Sequence, residues 1–265
     1  MLKIAFLAVL QGIAEFLPVS SSGHLVISQH FLGIQAEGVR LDVCLHAGTL
    51  ISILAYYRKT LCRLFADCLS PNAGKSARAG AWGFMFRLFV STTPAVIVYF
   101  LCEDHIGELF ENAKMVGALL MFTGAVLVGT RFLPRGKKDV GFLRAVLMGV
   151  GQAVALLPGV SRSGMTLASA RAGGVDGERA AEFSFLMSTP LIVGALIMEI
   201  MKSAGETAAD AAVQPSWTML IFGMSVAAAV GYFSLAVLVK ALKGKWFWLF
   251  GPYCIAAGLL TVILL

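Results

Sequence analysis

The chain has 265 residues, of which 58% are hydrophobic and only 14% charged, and its mean hydropathy is +0.83. A soluble domain carries about 25% charged residues, so this chain must face lipid over much of its surface; it is too apolar for a disordered chain and has no Gly-X-Y period for collagen. The net charge of +6 in so apolar a chain points to basic loops against anionic lipid rather than to nucleic acid.

In chain order, the first apolar stretch, 4–17, is too short to cross about 30 Å of hydrocarbon. It runs into Pro18 and the cluster Ser20, Ser21, Ser22, where a helix cannot continue cleanly, and so predicts a re-entrant segment. No cleavable leader is expected, because Gln11, Glu15 and Pro18 follow Lys3 with no spanning helix between. Crossings are predicted at about 41–57 (on the short side), 84–102 and 114–133. A second short stretch, 145–157, again meets a proline and a serine cluster (Pro158, Ser161, Ser163) and predicts a second re-entrant segment. Crossings at about 183–201, 217–239 and 246–265 complete six. The expected fold class is all-α: a polytopic membrane protein with about six transmembrane helices and two re-entrant helix-loop-helix segments.

Lys/Arg asymmetry assigns the sides. The link 58–83 holds Arg58, Lys59, Arg63, Lys75 and Arg78 against Asp67. The stretch 131–144 holds Arg131, Arg135, Lys137, Lys138 and Arg144 against Asp139, and 240–245 holds Lys240, Lys243 and Lys245 with no acid. The links 103–114 (Glu103, Asp104, Glu108, Glu111 against Lys114) and 202–216 (Glu206, Asp210 against Lys202) are acidic. The basic links are therefore expected inside and the acidic ones outside. Both chain ends then lie outside, provided 1–40 and 141–180 each dip in and return.

The two breaks resemble each other. Gln11 to His24 reads QGIAEFLPVSSSGH and Gln152 to Met165 reads QAVALLPGVSRSGM, each followed by a short apolar helix ending at Gly33 or at Gly173–Gly174. The chain thus reads as a duplicated half, about 1–133 and 141–265. An odd number of crossings separates the copies, so they have inverted topology. Inverted repeats with broken helices put their site near the midplane. One Pro-Ser-Gly break is commonly a packing kink, but two matched copies with intramembrane polar groups point to function.

Ser20, Ser21, Ser22 and Gly23 open one helix, and Ser161, Ser163 and Gly164 another, with Thr166 in its first turn. Helix starts favour anions, and glycine lets an oxygen approach the backbone. Arg162, at the repeat position of Ser21, adds a planar fork able to take two phosphate oxygens; the bland alternative is snorkelling to an interface. Together these residues describe a phosphate or diphosphate cradle. Gln11 and Glu15 are spaced i, i+4 on one helix face. A carboxylate there suits a divalent cation, Mg²⁺ or Ca²⁺, with an ion pair to Arg162 or Arg87 as the plainer reading. His24, three residues after Ser21, is close enough to exchange a proton with it or with a ligand. His30, His46, His105 and Glu199 read as packing or local polar contacts. The five cysteines (Cys44, Cys62, Cys68, Cys102, Cys254) form no CxxC pair and the histidines no HExxH, so neither disulfides nor zinc are expected.

At these residues the chain resembles the integral-membrane undecaprenyl-diphosphate phosphatases of the bacitracin-resistance family. QGIAEFLPVSSSGH, LLPGVSRSGMTLASARAGG and RAAEFSFLMSTP (Arg179 to Pro190) carry the likeness. Gln11 stands where many members have Glu, and Ser22 where Thr is frequent. The resemblance implies hydrolysis of undecaprenyl diphosphate to the monophosphate in the bacterial inner membrane, carrier-lipid recycling for peptidoglycan synthesis, bacitracin resistance and divalent-metal dependence. Carried over by position, Glu15, Ser21, His24 and Arg162 form the catalytic set, with Gln11 beside Glu15 at the metal. Ser21, His24 and a metal-bound water all stay open as the attacking group. The partners implied are a polyprenyl diphosphate and membrane lipid; a homodimer is left open. The rival reading is a transporter or flippase, which would bind the lipid without turnover.

Overall fold

A computed structural model describes residues 1–32, 39–70, 74–203, 216–244 and 246–265. The expected helix end at Gly33, the acidic Glu206 and Asp210, and Lys245 lie outside the described residues, as do the side chains of Glu103, Asp104, Glu199 and Lys202. The elements are α1 (Leu2–Ala14), α2 (Ser21–Leu32), α3 (Val39–Tyr56), α4 (Arg58–Leu69), α5 (Lys75–Glu111), α6 (Ala113–Gly129), α7 (Phe142–Val154), α8 (Arg162–Ala172), α9 (Gly177–Ser203), α10 (Trp217–Lys243) and α11 (Phe250–Leu264). Among the described residues there is one isolated β-bridge, Lys138 to Val175, and no strand. The all-α class is as expected.

Among the described residues, five helical segments are long and apolar enough to cross a membrane: Lys75–Cys102, Ala113–Phe132, Gly177–Met198, Trp217–Lys243 and Phe247–Leu264. The sixth expected crossing, 41–57, is a helix in its expected place, α3, but is not among those five. Its 18 residues reach about 27 Å and include Arg40, Asp42 and His46. α5 starts at Lys75 rather than at 84, because the polar run before the apolar stretch contains good helix formers and extends the helix outward. It bends at Cys102, whose φ of −131° departs from helix. α1 and α7, at 13 residues each, reach only about 20 Å. Each ends at its Pro-Ser break.

Chain ends of both short units come back together. Lys138 N–H donates to the Gly174 carbonyl (3.1 Å) and Asp176 N–H to the Lys138 carbonyl (2.9 Å), so the α7–loop–α8 unit starts and finishes at one end of the bundle. Ion pairs Arg179–Asp139 and Lys243–Glu178 gather the start of α9 and the end of α10 at that same end. In the other unit, Ile4 at the start of α1 and Leu41 at the start of α3 share one apolar cluster with Leu220 of α10.

Early and late helices of the chain are interleaved. α1 packs on α10, α7 packs on α5, α3 packs on α10 and α9, and α6 lies along α11. The α6–α11 seam is closed by facing glycines: a Cβ on Gly124 would stand 2.6 Å from the Gly251 carbonyl, and one on Gly258 2.4 Å from the Gly117 carbonyl. Without water to drive association, such backbone contact is what small residues supply in a bilayer. The outer surface carries large apolar side chains, while polar side chains lie inside among the apolar core. Phe89, Phe100, Leu143 and Phe233 are exposed, whereas Gln11, Thr49, Ser91, Thr123, Gln152 and Ser184 are buried.

Candidate active site

The two Pro-Ser loops meet at the centre of this arrangement. Both start their second helix in the same way. Ser20 Oγ accepts from Gly23 N–H (3.2 Å) and approaches Ser22 Oγ (3.3 Å). Ser161 Oγ accepts from Gly164 N–H (3.1 Å) and approaches Ser163 Oγ (3.2 Å). The serine side chain thus satisfies one of the amides that a helix start leaves unpaired. The chain reverses differently in the two loops. Gly159 takes the left-handed backbone in the second loop (φ 94°), but Ser20 takes it in the first (φ 68°), a conformation disfavoured for a residue with a Cβ.

Gly23 and Gly164 lie where the two loops come close to each other. A Cβ on Gly23 would lie 3.1 Å from Gly159 Cα, and one on Gly164 would lie 3.5 Å from Pro18 Cβ. Gly23 thus lets the two loops touch, whereas at Gly164 the tight neighbour is Ser161 of its own turn, 3.0 Å from an added Cβ. Ser163 Oγ donates across to the Leu17 carbonyl (3.2 Å). Thr166 is turned into the packing of α8 on α9, bonding the Arg162 carbonyl (2.8 Å) and Ser184 Oγ (2.6 Å). It fixes the backbone that carries Arg162.

Glu15 is the hub. It is 7% exposed and accepts from Gln11 Nε2 (3.1 Å) and Ser21 Oγ (2.7 Å). It is ion-paired with Arg162, whose Nη2 bonds Oε1. The partner is thus Arg162 of the second Pro-Ser loop and not Arg87. Arg162 is 17% exposed in its side chain, its guanidinium lies 5.8 Å from the Phe185 ring centroid, and its Nη1 is buried without a hydrogen-bond partner. This inward-turned position is unlike snorkelling.

His24 does not bond Ser21. Its Nδ1 faces the Ser20 carbonyl (2.9 Å) and its Nε2 the Tyr253 hydroxyl (2.8 Å), with the two rings stacked. Proton exchange between His24 and Ser21 therefore gives way to a Ser21–Glu15 contact.

Sequence reasoning missed three neighbours. His46, read as packing, brings Nε2 to 3.5 Å from Glu15 Oε2, with its Nδ1 on the Asp42 carbonyl (2.7 Å). Tyr253 was not singled out at all. Thr123 of α6 was a third: its hydroxyl donates to the Gly159 carbonyl (3.1 Å) and accepts from Ser161 N–H (3.0 Å), clamping the second loop. The i, i+4 spacing of Asp42 and His46 was the one signal in the sequence that marked a polar face on α3.

Gln11 Oε1 is buried and has no hydrogen-bond partner. One carboxylate with one carboxamide oxygen suits a magnesium-type ion, which is held through one or two carboxylates together with substrate phosphates. Among the described residues no three His, Cys, Asp or Glu side chains stand close enough to hold a metal by themselves.

Residues 4–260 match the family described as Bacitracin resistance protein BacA. The chain is 35% identical over 275 residues to an undecaprenyl-diphosphatase of Desulfatibacillum aliphaticivorans, covering 99% of this chain and 98% of that one. It is 38% identical over 269 residues to the undecaprenyl-diphosphatase of Desulforapulum autotrophicum (97% and 95%) and 37% over 272 residues to that of Rhodopirellula baltica (100% and 98%). The likeness runs from end to end and includes both loops. The chain belongs to the bacitracin resistance protein BacA family.

Proposed function

We infer that this protein hydrolyses undecaprenyl diphosphate to undecaprenyl phosphate and inorganic phosphate, recycling the carrier lipid for peptidoglycan synthesis and conferring bacitracin resistance. The observation that carries the mechanism is the continuous contact Ser21–Glu15–Arg162, which joins a hydroxyl, a carboxylate and a guanidinium across the two loops. Ser21 Oγ attacks the terminal phosphorus and Glu15 takes its proton. The bond from that phosphorus to the bridging oxygen breaks, and undecaprenyl phosphate leaves with that oxygen. Water then cleaves the phosphoserine, releasing phosphate and restoring the Ser21 hydroxyl.

Arg162 offers its unpartnered Nη1 to the phosphoryl oxygens while Nη2 stays on Glu15. A buried donor without a partner costs about 1–3 kcal/mol, which a phosphate oxygen recovers. Such fixed donors stabilise the charge spread over the equatorial oxygens in the transition state. Gln11 and Glu15 would hold a divalent cation arriving with the diphosphate. That ion, Mg²⁺ or Ca²⁺, supplies neutralisation of diphosphate charge.

We place the chain in the bacterial inner membrane with both termini on the periplasmic side and read it as an inverted repeat. The ion pairs that collect the basic 131–144 and 240–245 links at one end support that orientation. Crossed packing of α1 on α10 and of α7 on α5 supports the repeat. The same packing favours the transporter as a second reading. Purified protein given undecaprenyl diphosphate separates the two. The phosphatase releases inorganic phosphate, and EDTA stops it; retention of intact diphosphate would establish the transporter.

A further inference from the structure

Tyr253 lies outside every motif the sequence singles out, on α11, 229 positions from the histidine it contacts. Hydrogen-bond polarity fixes the tautomer of the neutral His24 ring in that contact. The Ser20 carbonyl can only accept, so His24 Nδ1 carries hydrogen. In the neutral ring Nε2 is then a bare acceptor, and the Tyr253 hydroxyl, at 2.8 Å, is its donor. The near-parallel rings, tilted by 8°, hold this alignment.

The element behind Tyr253 is itself anchored to both loops. The next residue, Cys254, is fully buried and its thiol reaches the Pro18 carbonyl at 3.5 Å. Adjacent residues of α11 therefore grip the first loop near its start and at its end. α11 is locked to α6 through the Gly124–Gly251 contact, and Thr123 of α6 clamps the second loop. Ser21 already hands its hydrogen to Glu15. His24 is thereby left free of Ser21, with the half-exposed Tyr253 (51%) on its outward nitrogen.

We propose that Tyr253 is a positioning residue for the phosphatase reaction: its hydroxyl caps Nε2 of His24, whose Nδ1–H tautomer the Ser20 carbonyl sets, and keeps that nitrogen aimed away from Ser21. Glu15 serves Ser21, and the His24–Tyr253 pair stands apart from that contact, which leaves His24 to act on the substrate rather than on Ser21. The inference rests on the phosphatase reading for its kinetic consequence, but not for the contact itself.

Tyr253→Phe tests it, since the ring and its stacking remain and only the hydroxyl goes. In ¹⁵N-histidine-labelled protein in detergent, the His24 Nε2 signal (identified by its loss in His24→Ala) is that of a hydrogen-bonded bare nitrogen. It moves towards the free value in Tyr253→Phe. With undecaprenyl diphosphate, kcat falls about tenfold, the worth of one hydrogen bond, while KM stays within twofold. Tyr253→Phe adds no further loss in a His24→Ala background. An unchanged Nε2 signal, a kcat within twofold of the parent, or losses that multiply in the double variant overturn the proposal. A parent protein that releases no phosphate sinks the phosphatase reading instead, and the ¹⁵N signal then still decides the contact.

Discussion

Arg162 is the residue on which the two Pro-Ser loops converge, and its geometry makes a sharp demand. Arg162→Lys keeps the charge but cannot both bond Glu15 and present a second N–H to phosphate. Losing one charge-assisted hydrogen bond is worth about 3 kcal/mol, so kcat/KM for undecaprenyl diphosphate is expected to drop about a hundredfold. The variant should purify in normal yield; a lysine variant within a few-fold of the parent would make Arg162 a structural cation. Ser20 carries a second residue-level prediction through its left-handed φ of 68°. Ser20→Ala loses the bond to Gly23 N–H and keeps the strained backbone, whereas Ser20→Gly loses the same bond and relieves about 1 kcal/mol of strain. Thermal unfolding in detergent should therefore rank parent and glycine variant together, above alanine. An alanine variant as stable as the glycine one would mean that Ser20 is not strained. At this scale the sequence marked Glu15, Ser21 and Arg162, because their motifs pair two loops at matched spacing. It could not mark the partner of each. Whether Ser21 meets Glu15 or His24, and that Tyr253 caps His24, depends on how α1 and α11 dock, and no local pattern encodes that.

Elements follow the apolar pattern where a helix is long and apolar throughout, as in α6, α9, α10 and α11. The pattern blurs where polar residues enter a crossing. α3 holds Asp42 and His46 because it passes beside Glu15, and the same residues lower its apolar character. α4 was absent from the sequence reading because its twelve residues, Arg58–Leu69, lie in a basic link and bury none of their side chains. The α6–α11 seam makes the element-scale prediction. Gly124→Ala places a methyl 2.6 Å from the Gly251 carbonyl and must push the helices apart, a cost of about 1–3 kcal/mol. Because α6 and α11 each hold one loop, turnover should fall together with the melting temperature. Gly129→Ala, on the same helix with nothing within 4 Å of the added methyl, should leave both unchanged or slightly raise stability. Equal behaviour of the two variants, by melting and phosphate release, would remove the seam from the account.

Over the whole molecule, the account joins a membrane orientation to a site made from two loops. Cys62 is exposed on α4 within the first basic link. In single-cysteine chains, a membrane-impermeant maleimide added to intact cells should label a cysteine at Leu2 or Leu265 and leave Cys62 unlabelled until the cells are broken. Labelling of Cys62 in intact cells would invert the assignment. The charge of the links was enough to propose these sides, because that signal is carried by composition alone. The crossed packing of the halves needed coordinates. The central claim is that Ser21 attacks phosphorus with Glu15 as its base. Its most direct test is phosphate release from undecaprenyl diphosphate by the purified parent, Ser21→Ala and Glu15→Gln at saturating substrate and Mg²⁺. The account predicts one phosphate per undecaprenyl phosphate from the parent and rates at least about a hundredfold lower from both variants; a rate within a few-fold of the parent in either variant would contradict it.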